Sequence, residues 1–149
     1  MILANNAEGN PVPPIFTSLR KFYKEHFVRD YLIDGCGNAN PSGWITGPDL
    51  LFFMKHFLKK VRCSKESPVL VLFDNYSAHL YIEVLDYCKK HGITLLSFPP
   101  HTTNRLQPLD VSIFGPPKKF FNDAVYGKMK SHPGKVVLIY DIPSIVKTA

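Results

Sequence analysis

Five consecutive apolar residues, Val69 to Phe73, stand between Pro68 and Asp74. The run is too short for a lone helix and lacks the polar alternation of a strand with one wet face. It therefore predicts a strand buried on both faces, as in a helix-covered sheet. That strand ends on a carboxylate, and open α/β sheets hold their ligands in the crevice beyond the strand ends. An acid at this position either caps the following turn and helix or takes part in chemistry.

A second acid, Asp110, closes the stretch. It follows a strand-like run, Ile93 to Phe98, and a proline-containing loop, Pro99 to Pro108, and it precedes an apolar helical pattern. An Asp there can satisfy free N–H groups at a helix start and favour the macrodipole. It can also serve as a metal ligand beside Asp74. Between the two strand runs, residues 80–91 predict a helix with Tyr81, Val84, Leu85 and Cys88 inward and Gly92 as its stop. Strand, helix and strand joined by short connections form a βαβ unit with parallel strands. Both strand ends then share one side, which predicts Asp74 and Asp110 carboxylates within roughly 4 to 8 Å, close enough to share metal.

Upstream, Met1 to Ala4 reads as a strand, Asn5 to Pro11 as a turn, and the segment from Val12 to Thr17 as its partner, with pairing expected from about Ile15 because of the prolines. Residues 19–28 interleave Arg20, Lys21 and Lys24 with Phe22, Tyr23 and Phe27, which suits either an amphipathic surface segment or nucleic-acid contact. Residues 35–43, with three glycines, two asparagines and Pro41, read as a loop whose end Trp44 anchors in the core. Thr46-x-x-Asp49 resembles a capping box, with Pro48 in the first turn. From there Leu50, Met54, Phe57, Leu58 and Val61 recur at helical spacing, leaving His56 on the surface.

Downstream, a helix is expected over residues 110–129, using Ile113, Phe114, Phe120, Phe121, Ala124 and Val125. Pro116 and Pro117 oppose its continuity, so Gly115-Pro116 marks a kink or restart. Ser131-His132-Pro133-Gly134 ends it, and residues 127–149 include a tail without a clear element.

Charge and cysteines narrow the setting. Eighteen Lys and Arg against twelve Asp and Glu give +6, with the excess concentrated after residue 100. A basic surface attracts polyanions, nucleic acid above all. Cys36, Cys63 and Cys88 are odd in number and contain no C-x-x-C, so neither a disulfide framework nor a zinc site is indicated. With no signal-peptide layout and no run long enough for a membrane span, an intracellular, soluble protein with no membrane partner is expected.

The residues Leu72-Phe73-Asp74-Asn75-x-Ser77-Ala78-His79, followed by Leu96-Ser97-Phe98-Pro99-Pro100-x-Thr102-Thr103 and Leu106-Gln107-Pro108-Leu109-Asp110, resemble the three-acid (DDE) transposase domain of the pogo, Tigger and jerky elements. Asp74 and Asp110 have 35 residues between them, a spacing of the kind that family uses. The segments Gly37 to Thr46 and Lys118 to Asn122 resemble its blocks too. The best match covers about residues 1–126 of a single partial domain spanning 1–149.

The resemblance implies an α/β, ribonuclease-H-like core and metal-dependent DNA cleavage or strand transfer with Mg²⁺ or Mn²⁺. Asp74 and Asp110 match the second and third acids, as catalytic residues and metal ligands. Asn75, His79, Thr102, Thr103, Arg105, Gln107, Lys118 and Lys119 are candidate DNA contacts, His79 and Asn75 also being explained by turn formation. By that resemblance the family's first acid is expected on an opening strand that would lie upstream of Met1, and its helix-turn-helix reader is likewise unmatched. Glu8, Asp30 and Asp34 do not occupy that strand position. The expectation is an N-terminally truncated nuclear domain that binds metal weakly, does not cleave DNA, and self-associates through an exposed sheet edge. The alternative is a domesticated, non-catalytic nuclear module binding DNA or protein.

Overall fold

The computed structural model describes residues 1–24, 36–109, 111, 115–138, 140–142 and 144–145. Its architecture is mixed α/β, and the core gathers around helix α1, Gly47–Val61. The capping box forms: the Asp49 carboxylate reaches back to accept from Thr46 N at 2.9 Å and Thr46 Oγ at 2.8 Å, with Pro48 in the first turn. Leu50, Phe53, Met54 and Phe57 bury one stripe of the helix. Burying each such side chain contributes about 1.5–3 kcal/mol, so the stripe dominates the local energetics. Val61, expected inside, is exposed at the last turn, where Arg62 leaves the helix in a left-handed conformation (φ 56°).

Three strands form one sheet in the order β1 (Ile2–Asn5), β2 (Pro11–Leu19), β3 (Cys36–Asn40). The antiparallel β1–β2 pairing already begins at Asn5 opposite Pro11, earlier than the expected start at Ile15. Ala4 faces Val12 while Ile2 faces Ile15, so Pro13 and Pro14 together oppose Leu3 in a bulge. A bulge leaves a residue out of the ladder, which is how two residues lacking N–H groups fit inside a strand.

Strand β3 corrects a second expectation. The glycine- and asparagine-rich segment lies parallel to β2, Ile15 opposite Cys36 through Leu19 opposite Asn40. Tertiary hydrogen bonds offset its poor strand propensity: Asn38 Nδ2 and Asn40 Nδ2 donate to the Asp49 carboxylate at 2.6 and 2.9 Å. Trp44 is not a core anchor, since 72% of it is exposed. The chain turns there on hydrogen bonds among Asn40, Ser42 and Trp44 N, so the indole is not needed to close the loop. His56 also departs from expectation: it is half-buried, its Nε2 donating to Pro13 O at 2.9 Å and its Nδ1 lying 3.5 Å from Cys36 Sγ.

A second sheet pairs β4 (Val69–Phe73) with β5 (Ile93–Ser97) in parallel, as the βαβ reading requires. Helix α2, Ile82–Lys90, connects them and packs on α1 and β5. Only one face of β4 is covered, however. Val69 and Val71 pack against the core, whereas Leu70 is 57% and Leu72 48% exposed. The expected second covering layer is absent among the described residues. Helix α2 starts later than expected because Ser77–Leu80 forms its own 3₁₀ turn and Tyr81 is extended. Val84 and Cys88 point inward as expected, but Leu85 is exposed and Tyr87 takes its place against the core. Gly92 (φ 74°) ends the connection; a side chain there would collide with the Ser64 carbonyl.

Beyond β5 the chain forms a short turn of helix, α3 (Thr103–Leu106), and then α4 (Gly115–Ser131). The restart at Gly115 places Pro116 and Pro117 in the first turn, where missing N–H groups cost nothing. Ile113 and Phe114 lie outside the described residues. Among the described residues no α4 side chain joins the core cluster, and Phe120, Tyr126 and Met129 are exposed. The tail returns to this helix: Lys128 Nζ donates to Asp141 Oδ1 at 2.6 Å, holding the Asp141 carboxyl below its usual range. Among the described residues no helix is long and apolar enough to cross a membrane.

Candidate functional site

Asp74 follows the last residue of β4, where the strand leaves the sheet and the chain turns into Ser77–Leu80. Its side chain is 32% exposed. One oxygen, Oδ1, accepts from Tyr76 N at 3.2 Å and from His79 Nδ1 at 2.9 Å. His79 Nδ1 also lies 2.8 Å from the Asp74 backbone oxygen. Because a carbonyl can only accept, Nδ1 carries the proton shared between these two oxygens. The other carboxylate oxygen, Oδ2, makes no hydrogen bond to the described residues.

The imidazole is held from two sides. Phe73 meets it edge-on at 4.7 Å between centroids and Tyr76 at 5.9 Å. Buried Ala78 anchors the turn beneath it, against α1. His79 was legible in the sequence as a turn residue or a phosphate contact; its grip on Asp74 was not. The signal that could have found it is the spacing: five residues after a strand-end acid, one compact turn returns a side chain to that acid.

Beside the turn lies an open cleft of about 480 Å³ whose walls include Trp44, Thr46, Gly47, Tyr76 and Tyr81. Tyr81 lies directly over Gly47, where any side chain would strike its ring. A hydrogen bond to Glu83 raises the Tyr81 phenol above its ordinary pKa.

Asp110 lies outside the described residues, so its expected 4 to 8 Å separation from Asp74 has no counterpart here. Asn75 is exposed in the turn. In the following loop Thr102 Oγ donates to Pro99 O at 2.7 Å, and the Thr102 and Thr103 carbonyls accept from Arg105, Leu106 and Gln107 N–H groups. Their polar groups thus build the loop, while the Arg105 side chain is exposed. Gln107 Oε1 is buried without a hydrogen-bond partner among the described residues. Lys118 and Lys119 are exposed on the first turns of α4. Among the described residues no hydrogen bond or ion pair joins this group to Asp74 or His79.

Asp74 fits a hard divalent cation on one criterion: an oxygen left open beside one that is fixed. Among the described residues no three His, Cys, Asp or Glu are arranged to hold a metal. The three cysteines are free; burial, then nearby Cys63, pushes the Cys88 thiol to about 11, and burial raises Cys36, so neither Cys36 nor Cys88 readily offers a thiolate.

An acid at the carboxyl end of a parallel strand stands where open α/β sheets hold their ligands. The family model described as "DDE superfamily endonuclease" matches residues 15–136, and the chain belongs to that family. A relative described as "MFS-type transporter clz9", from Cochliobolus lunatus, is 28% identical over 97% of this chain. The match covers 16% of that protein, so this chain corresponds to a small part of it. No solved structure matches.

Proposed function

We propose that this chain is a segment of a ribonuclease-H-like core of the pogo, Tigger and jerky kind, derived from a transposase and built for metal-dependent phosphodiester chemistry on DNA. The observation that carries the reading is Asp74: a carboxylate at the end of a parallel strand, one oxygen fixed and one open, in a DDE superfamily endonuclease chain. Asp74 and Asp110 are the proposed ligands of Mg²⁺ or Mn²⁺. Such an ion, when bound, supplies Lewis acidity to activate a water or 3′-hydroxyl and to stabilise the leaving oxygen.

The residues of this chain contribute the remainder. Asp74 presents hard oxygen, and the basic segment after residue 100, with Arg105, Lys118 and Lys119, attracts and orients the phosphate backbone. Among the described residues the outer edges of β1 and β4 are unpaired, and they offer sites for a further strand or a second copy. The resemblance matches only Asp74 and Asp110 of the family's three acids, and two acids hold metal weakly, so these residues are proposed to bind DNA and metal without cleaving. Nuclear residence follows from a DNA substrate. A non-catalytic DNA- or protein-binding role is the second reading, favoured by the apolar side chains α4 leaves exposed.

The test combines titration with Mn²⁺ and nicking of supercoiled DNA. Weak Mn²⁺ binding that Asp74→Ala and Asp110→Ala each reduce, salt-sensitive DNA binding and no nicking support the proposal. Metal-dependent nicking abolished by Asp74→Ala would overturn the inactivity, and metal binding indifferent to both substitutions would overturn the site.

A further inference from the structure

We infer that His79 is a positioning residue that sets the orientation of the Asp74 carboxylate, acting through its Nδ1–H. The inference rests on the metal-site reading of Asp74 and goes beyond it. An unrestrained Asp at a strand end rotates freely about its terminal torsion, which is broad and roughly two-fold. Here that rotation is opposed at one oxygen only. Nδ1–H is 2.9 Å from Oδ1, and Tyr76 N–H approaches the same oxygen at 3.2 Å. The second acceptor of Nδ1–H, the Asp74 carbonyl at 2.8 Å, ties the ring to the backbone of the residue it orients.

The imidazole cannot easily swing aside. Phe73, the residue before Asp74, and Tyr76, within the turn, contact its ring edge-on, at interplanar angles of 73° and 79°. The result is a closed unit of residues 73–79 in which backbone, ring and carboxylate hold one another. It leaves Oδ2 as the ligating atom. A histidine in this role stands behind the ligand rather than on the metal, and groups that orient ligands commonly change metal affinity 10–100-fold when removed.

The paired amides separate this role from simple packing. Asn at position 79 places its amide N–H near the site of Nδ1, whereas Gln places one near Nε2 and leaves the Nδ1 position without a donor. In the full chain, titrated with Mn²⁺ alone, H79N is expected to bind within about twofold of wild type, while H79Q and H79A weaken binding by roughly tenfold or more. All three should melt within a few degrees of wild type. Nitrogen-15 shifts of the metal-free protein should show Nδ1 protonated at neutral pH.

Equal Mn²⁺ affinity in all three variants, with D74A abolishing binding, would overturn the positioning role while leaving the metal site standing. An Nε2–H tautomer would overturn it independently of any metal. Absence of Mn²⁺ binding by wild type, with Nδ1 protonated, would instead overturn the metal-site reading on which the inference rests. Rescue by H79N alone, with the Nδ1–H tautomer, is the supporting result.

Discussion

Two acids occupy two turns of this molecule and are used in opposite ways. At the start of α1, Asp49 is 3% exposed and both its oxygens are engaged: Oδ1 by Asn38, Oδ2 by Asn40 and by Thr46 N and Oγ. At the end of β4, Asp74 engages Oδ1, while Oδ2 makes no hydrogen bond to the described residues. A buried carboxylate survives only when hydrogen bonds replace its lost hydration, so Asp49 is committed to structure. Asp74 retains solvent access and needs no such replacement. The contrast teaches that burial commits both oxygens of a carboxylate to the fold, whereas a strand-end acid in reach of solvent can leave one unused.

The widest separation between the two corners should appear in stability. Asp49→Ala strands the half-buried donors of Asn38, Asn40 and Thr46, and stranded donors cost up to about 1–3 kcal/mol each when fully buried, so a loss of roughly 2–4 kcal/mol is expected by urea unfolding. Asp74→Ala, at an exposed turn, should cost about 1 kcal/mol or less. Equal losses would break the comparison.

Metal binding should reverse the ranking. Asp74→Ala is expected to weaken Mn²⁺ binding by at least about tenfold, the scale on which single ligand-sphere groups act. Asp49→Asn, which keeps the shape of the cap, should leave the affinity unchanged. Loss of binding in Asp49→Asn with the fold intact by circular dichroism would show that the structural corner also serves the ion.

A sharper version concerns Trp44, which lines the cleft between the two corners. Trp44→Ala should change stability by no more than about 0.5 kcal/mol, as exposed substitutions do. A loss of several kcal/mol would reinstate the indole as a core anchor.

The smallest effect is assigned to a third acid. Asp141 is paired with Lys128 on the surface, and its pKa in the folded state is depressed by that hydrogen bond and by Leu138 N–H. A depressed carboxyl stabilises above its unfolded pKa and loses that contribution as pH falls through the folded value. The contact between α4 and the tail should therefore hold at neutral pH and loosen below the ordinary carboxylate range, near pH 4. Amide exchange at Leu138 should accelerate over that window in wild type, and Lys128→Met should bring the acceleration to higher pH. Exchange indifferent to both would remove Asp141 from the comparison.

What the sequence by itself determined was local. The signal Thr46-x-x-Asp49 with Pro48, followed by an apolar stripe at helical spacing, specified α1, because capping and side-chain periodicity act within a few residues. The runs at Val69 and Ile93 with a helix between them specified a parallel pair, and the strand-end position of Asp74 followed, together with the DDE resemblance its motif carries. Tertiary structure decided the rest. Gly37, Asn38 and Asn40 make a strand only because β2 supplies a ladder and Asp49 gathers two asparagine amides from across the fold. The alternate side chains of β4 are exposed because helices cover one face, a fact no five-residue run contains. His79 grips Asp74 because one 3₁₀ turn folds the ring back through space, and hydrogen-bond geometry of that kind depends on coordinates rather than on residue type.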